Sequence, residues 1–352
     1  MASAYVSGGI ERTVSFLSKS LLEKEEFKIK IFSIFGSEAP PLYDYGRDCE
    51  IINLFEEERF DLRRNFFNVK KVVEKSLLEN DIDILIVEGS GLTPFIYSYI
   101  KSNKVIVRDH TGFLNSKKFG LSWFGRKIAM NYSNALVVLT ETDLKEYKKN
   151  SKKELNIKCI YNPVTGEFEK TNYDYNSKKI MACGRLSYEK GFDLLLKSVK
   201  DTFKKYPEWN LEIIGEGPEE SHLRSMIDEF DLQKHVSLKG QVHNIYQIYS
   251  NYSFLVVPSR FEGFGMVIIE ALKTGIPVIS FNAPNGPKEI IVDLKNGLLV
   301  EEKNINKMTE AIEKLILSQK LRIELASNSE YQLFRFEKEK IVDQWTVLLK
   351  ML

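Results

Sequence analysis

Short runs of β-branched and other apolar residues alternate along this chain with longer stretches whose apolar positions recur every three to four residues. That alternation marks parallel strands covered by helices, an α/β architecture. In the first half, strands are expected at Lys28–Ser33, Asp83–Val87, Lys104–Arg108 and Ala135–Leu139, and helices at Gly9–Lys24, Phe60–Glu79 and Gly120–Tyr132. The opening MASAYVS leaves room for only an abbreviated strand before Gly8-Gly9. The pattern breaks at Tyr161-Asn162-Pro163, and a polar stretch runs to Lys178. It restarts with strands at Lys179–Cys183, Leu211–Ile214, Val236–Lys239, Phe254–Val257, Pro277–Ser280 and Gly297–Val300, with helices between them. The economical reading is two Rossmann-like domains facing each other across a cleft, residues 1–162 and 163–335. A last helical stretch, Phe336–Leu352, carries Trp345 and several leucines on one face and is expected to cross back to the first domain.

Bulk properties narrow the function. A chain of 352 residues holds about two domains. With 50 Lys and Arg against 49 Asp and Glu, the net charge of +1 argues against a nucleic-acid binder. Cys49, Cys159 and Cys183 lie far apart without paired spacing, so neither a zinc site nor a disulfide framework is implied. No apolar run approaches the roughly 18 residues that span a bilayer, and no charged-then-apolar leader opens the chain. The expectation is a cytoplasmic protein, soluble or peripheral at the inner face of the cell membrane.

Chemistry concentrates in three places. The run SRFEGFGMVIIE, Ser259 to Glu270, follows a strand and enters a helix. It holds Glu262 in the loop and Glu270 about two turns on, at the sheet edge where open parallel sheets bind ligands. Two carboxylates beside helix N–H groups suit a ligand bearing both hydroxyls and phosphate, a nucleotide sugar. The second place is Gly184-Arg185-Leu186-Ser187-Tyr188-Glu189-Lys190-Gly191, also between strand and helix. Arg185 and Lys190 put two cations where a departing diphosphate would gain charge, which stabilises the transition state more than the ground state. A solvated basic turn would look the same in isolation; the Glu262 loop in the same domain favours the functional reading. The third is Gly8-Gly9 before a helix, where a bare backbone can approach phosphate, although tight turns use such pairs constantly. His110, just past a strand, is either a structural or a catalytic histidine, and His222, His235 and His243 read as surface or capping residues.

GGIERTVSFLSKSL, VRDHTG, GRLSYEKGFDLLLKS, EIIGEGPE, LKGQV, PSRFEGFGMVIIEALKTGIPVI and NGPKEII with NGLLV together resemble a GT-B glycosyltransferase of the large retaining family four. The resemblance covers nearly the whole chain. It implies that Arg185 and Lys190 bind the donor diphosphate, that Glu262 contacts donor-sugar hydroxyls and that Glu270 accepts bonds from ribose hydroxyls. It further implies that backbone amides of Gly265, Met266 and Val267 cradle phosphate together with Gly9, and that the base lies near Gln241-Val242. Gly8, Gly184, Val242, Gly263 and Phe264 complete the implied donor site, and His110 takes the place of the family's cleft histidine. The implied catalytic set is His110, Glu262, Arg185 and Lys190.

The reaction implied is transfer with retention of a hexose or N-acetylhexosamine from a nucleotide-diphosphate sugar, UDP on family grounds, to a lipid-linked or polymeric acceptor in bacterial surface glycan synthesis. No cofactor and no metal are expected: the only Asp-x-Asp match, Asp81-Ile82-Asp83, reads as the entry to a strand. Alternatives on the same fold are a sugar-nucleotide epimerase, a phosphorylase, or a non-catalytic partner subunit. Arg59–Lys75 and Lys117–Lys127 are basic and aromatic, and contact with an anionic membrane competes there with a plain solvated face. The loops Gly36–Asp48 and Thr111–Gly120 are expected to shape acceptor choice.

Overall fold

A computed structural model describes residues 1–6, 8–57, 60–115, 119–151, 154–166, 173–242 and 245–352. The chain divides into two compact units, Met1–Thr165 with Phe336–Leu352, and Gly166–Arg335. No helix among the described residues is long and apolar enough to cross a membrane.

The first unit runs α1 (Gly9–Leu22), β1 (Lys30–Phe35), β2 (Glu50–Phe55), α2 (Phe66–Glu79), β3 (Leu85–Glu88), β4 (Val105–Asp109), α3 (Leu121–Tyr132), β5 (Ala135–Val138), α4 (Glu141–Asn150) and β6 (Ile157–Cys159). β1 and β2 pair in parallel, and β3-β4-β5-β6 form a second parallel sheet. Its central strands β4 and β5 are buried along their whole length, covered on both faces. Val105, Val107, Leu136 and Val138 pack with Val69, Val73 and Leu77 of α2. Ile106, Ala135 and Val137 pack the other way, with Leu17 and Leu21 of α1 and with Trp345 from the far end of the chain.

Three expectations need correction here. Among the described residues the opening stretch forms no regular strand: Ser3 makes an isolated parallel bridge to Phe35, and β1 supplies the regular ladder beside it. The helix expected from Phe60 starts at Phe66, because the Asp61 carboxylate takes the N–H groups of Arg63 and Arg64 into a local turn. Strands β2 and β6 were not expected from the pattern; β2 is only half-buried and β6 has three residues.

The second unit runs β7 (Lys179–Cys183), α5 (Phe192–Val199), α6 (Thr202–Lys205), β8 (Asn210–Ile214), α7 (Glu220–Glu229), β9 (Val236–Leu238), β10 (Phe254–Val257), α8 (Met266–Lys273), β11 (Val278–Phe281), α9 (Pro287–Ile290), β12 (Gly297–Val300), α10 (Ile305–Leu317) and α11 (Gln319–Ser327). Its six strands are all parallel in the order β12-β11-β10-β7-β8-β9. The order reverses between β7 and β10, which makes their carboxyl ends the topological switch point. The chain then returns to the first unit as α12 (Lys338–Lys350).

Candidate active site

Both chemistry-bearing loops of the second unit leave the sheet at this switch point, one after β7 and one after β10. Their contact depends on Gly191, which holds φ +69°; a Cβ there would stand 2.1 Å from the Pro258 carbonyl oxygen. No other residue fits so close an approach. The backbone N–H groups of Arg260 and Phe261 then donate to the Glu189 carbonyl at 2.8 and 3.3 Å. A side-chain fork adds to this. Arg260, 8% exposed, donates to both Asp193 oxygens at 2.6 Å, donates to the Tyr188 carbonyl at 2.9 Å, and lies 4.2 Å over the Tyr188 ring. Burial pushes the Asp193 carboxyl up, but the Arg260 hydrogen bonds and charge hold it below its ordinary value.

The loops thereby bring Lys190 and Glu262 together. Lys190 Nζ donates to Glu262 Oε2 at 2.7 Å, and Ser259 Oγ donates to the same oxygen at 3.2 Å. Arg185 is exposed just after β7, beside Gly184. Glu270 lies inside α8, nearly buried, and accepts from the Tyr249 hydroxyl at 3.2 Å. That hydroxyl also lies 3.6 Å from Cys183 Sγ, whose thiol is pushed up to about 12 by burial. Gly265 holds φ +102° at the start of α8, so the N–H groups of Met266 and Val267 open the helix after Gly263 and Phe264. Asn285 forms a parallel bridge with Glu262, and both polar atoms of its buried carboxamide lack a partner among the described residues. Val242 lies half-buried in the loop after β9, outside this tight contact.

In the first unit, His110 follows β4 and its Nε2 lies 2.5 Å from Glu88 Oε2 at the end of β3. Glu88 is a functional candidate that motif reading missed. Its signal is a charged residue closing the apolar run LIV, in register with Arg108 in VIVRD. The neighbouring Asp109 is scaffold. It accepts from Arg126 Nε at 2.7 Å, from the Tyr147 hydroxyl at 2.6 Å and from Ser90 Oγ at 3.1 Å, and so fixes the turn after His110. Arg126 is therefore 3% exposed and not part of a basic surface, which corrects that expectation for Lys117–Lys127. Lys117, Lys118, Arg59 and His243 lie outside the described residues. Gly8 precedes α1 in an extended conformation, and nothing lies within 4 Å of where a Gly9 Cβ would stand. A cavity of about 450 Å³ is lined by Leu62, Arg63, Glu88, Ser90, Thr111 and Ser122, among others.

His222 is exposed, while His235 is partly buried, with Nδ1 3.2 Å from the Trp209 carbonyl oxygen and its ring stacked on Phe203. Asp81 and Asp83 are exposed just before β3. Among the described residues no cluster of three His, Cys, Asp or Glu side chains is arranged to hold a metal ion.

Residues 165–332 match the family model described as glycosyl transferases group 1. An uncharacterized glycosyltransferase of Methanocaldococcus jannaschii is 30% identical over 292 residues, 82% of this chain and 75% of the relative. The chain belongs to the glycosyl transferases group 1. It is also 28% identical to a Staphylococcus aureus poly(ribitol-phosphate) alpha-N-acetylglucosaminyltransferase, over 78% of this chain and 56% of that protein. A structure of a TarM mutant from S. aureus in complex with fondaparinux, alpha-GlcNAc-glycerol and UDP superposes with a TM-score of 0.72 at 26% identity. That match covers 79% of this chain and 58% of that one. The fold is GT-B, and the protein is a glycosyltransferase.

Proposed function

We propose that this glycosyltransferase moves a hexose or N-acetylhexosamine, with retention, from a UDP-sugar to a lipid-linked or polymeric acceptor of a bacterial surface glycan. The observation that carries the reading is the Lys190–Glu262 pair at the switch point of the six-stranded sheet. A carboxylate that can take sugar hydroxyls is held there against a cation that can take the leaving diphosphate. Arg185 adds a second cation, and the N–H groups of Gly265, Met266 and Val267 add neutral donors for phosphate oxygens. Glu270, one helix turn and more beyond them, takes the ribose hydroxyls. The likeness to an enzyme named as an alpha-N-acetylglucosaminyltransferase acting on poly(ribitol-phosphate), and to a structure holding UDP, supports this choice of donor and acceptor class.

In this mechanism the departing phosphate takes the proton of the acceptor hydroxyl as the new bond forms on the same face, and Lys190 and Arg185 stabilise the charge it gains. Turnover with a UDP-sugar panel tests the assignment. Lys190→Ala and Glu262→Ala, folded by circular dichroism, should lose at least about 100-fold in kcat; unchanged turnover would refute the site. A covalent glycosyl-enzyme trapped on Glu262 would replace the same-face mechanism with a double displacement.

The reaction needs no metal in this reading, so full activity persists in chelator, and an absolute requirement for magnesium or manganese contradicts it. Peripheral contact with an anionic membrane belongs to the same proposal, carried by exposed Phe119 and Phe124, whose rings meet Trp123, and by Lys127, whose Nζ lies over the Trp123 ring. Sedimentation with anionic liposomes at low salt tests it, and failure to co-sediment refutes it.

A further inference from the structure

Three side chains that charge or titrate are buried at the carboxyl edge of β3 and β4. Glu88 is 7% exposed, Arg108 fully buried, and the His110 side chain 5% exposed; half-buried Glu11 of α1 and the buried Met1 ammonium are further charged groups facing them. A buried ionic cluster is weak evidence for stability, since apolar residues of the same size would serve a core as well or better. Its location is the informative point, because this edge of a parallel sheet is where ligands bind, and Glu88 lines the cavity there.

The cluster has a direction. Arg108 is anchored from behind: its Nη2 donates to Asn162 Oδ1 at 2.7 Å and its guanidinium lies 5.2 Å over the Trp345 ring. Its Nη1 stands 3.7 Å from Glu88 Oε1, which leaves Glu88 Oε2 for His110 at 2.5 Å. Burial pushes the Glu88 acid up, yet the Arg108 charge and the His110 hydrogen bond hold it below the ordinary carboxylate value. An ionised carboxylate can only accept, so the ring nitrogen facing it must carry a proton.

We propose that Glu88 is the positioning residue for His110, fixing the ring with Nε2–H on the carboxylate so that Nδ1 is the nitrogen left for a ligand. The inference rests on the reading of His110 as part of the glycosyl-transfer site. Orienting partners of this kind set which imidazole nitrogen does the chemistry.

The test has two readouts on the whole protein. In ¹⁵N-labelled native protein, the His110 signals, identified by their loss in His110→Gln, should be those of the Nε2–H tautomer. In Glu88→Gln the amide can donate as well as accept, so the two nitrogens should move toward averaged shifts. The same variant should lower kcat by about tenfold, one hydrogen bond to a charged group, with donor KM within twofold, and Glu88→Asp should recover part of the loss. An Nδ1–H tautomer in the native protein, or native-like signals in Glu88→Gln, overturns the proposal. The native spectrum needs no variant to fold. Failure of transfer with the tautomer as expected would fall on the proposed function; normal transfer with the wrong tautomer falls on Glu88.

Discussion

Arg260 sits two residues before Glu262 and joins the loops that carry Lys190 and Glu262. Its fork onto Asp193 cannot be copied by a single ammonium. Arg260→Lys should therefore lower kcat/KM by about 10- to 100-fold, the worth of one or two charge-assisted bonds, while melting temperature changes little. Steady-state kinetics beside a thermal melt check this; equal kinetics would show that the fork is dispensable. In the first unit, Asp143 accepts from the Phe113 N–H at 2.7 Å, and burial pushes its carboxyl up to about 6 from 3.8. The native state then binds more protons than the unfolded chain between those values, so this group's contribution to stability falls as pH rises from about 4 to 6. A shift of about two units corresponds to roughly 3 kcal/mol. Urea midpoints of Asp143→Asn against the native chain should show the variant gaining by that order between pH 4 and pH 7. A constant difference would contradict the assignment.

Among elements, legibility followed burial. The strands of the second unit were expected within about a residue of where they lie, since strands covered on both faces are continuous apolar runs between turns. Phe254–Val257 and Gly297–Val300 coincide with β10 and β12. β2 and β6 escaped because a half-exposed strand and a three-residue strand carry little pattern. The Lys190–Glu262 contact was implicit in two motifs 72 residues apart, each readable by its charge and position after a strand. Glu88 was not readable that way: its partner His110 lies just past the next strand, and only the β3–β4 register brings them together. Gly191 is where the loops are most exposed to test. In Gly191→Ala the left-handed backbone costs roughly 1–2 kcal/mol, and the clash with the Pro258 carbonyl adds to it. The denaturation midpoint should fall and nucleotide affinity with it; a variant that binds as tightly as the native chain would show that the loops need not touch.

At the scale of the whole molecule, the chain order and the structural units part company. α12 ends the sequence but belongs to the first unit, where Trp345 is fully buried against Arg108 and the β4–β5 face. Trp345→Ala should destabilise by about 3–5 kcal/mol. Hydrogen exchange should quicken in β4 and β5 and stay native-like in the six-stranded sheet of the second unit; the reverse pattern would place α12 in the wrong unit. The family identity makes the protein a glycosyltransferase; the proposed donor site goes further, with Lys190 and Glu270 holding a nucleoside diphosphate at the switch point of the second unit. Calorimetric titration with UDP, and with GDP, ADP and TDP as comparisons, tests it most directly. Native protein should bind UDP saturably, and binding should weaken at least tenfold in folded Lys190→Ala and in Glu270→Ala. Equal affinity in native protein and variants, or no binding of any of the four, would contradict it.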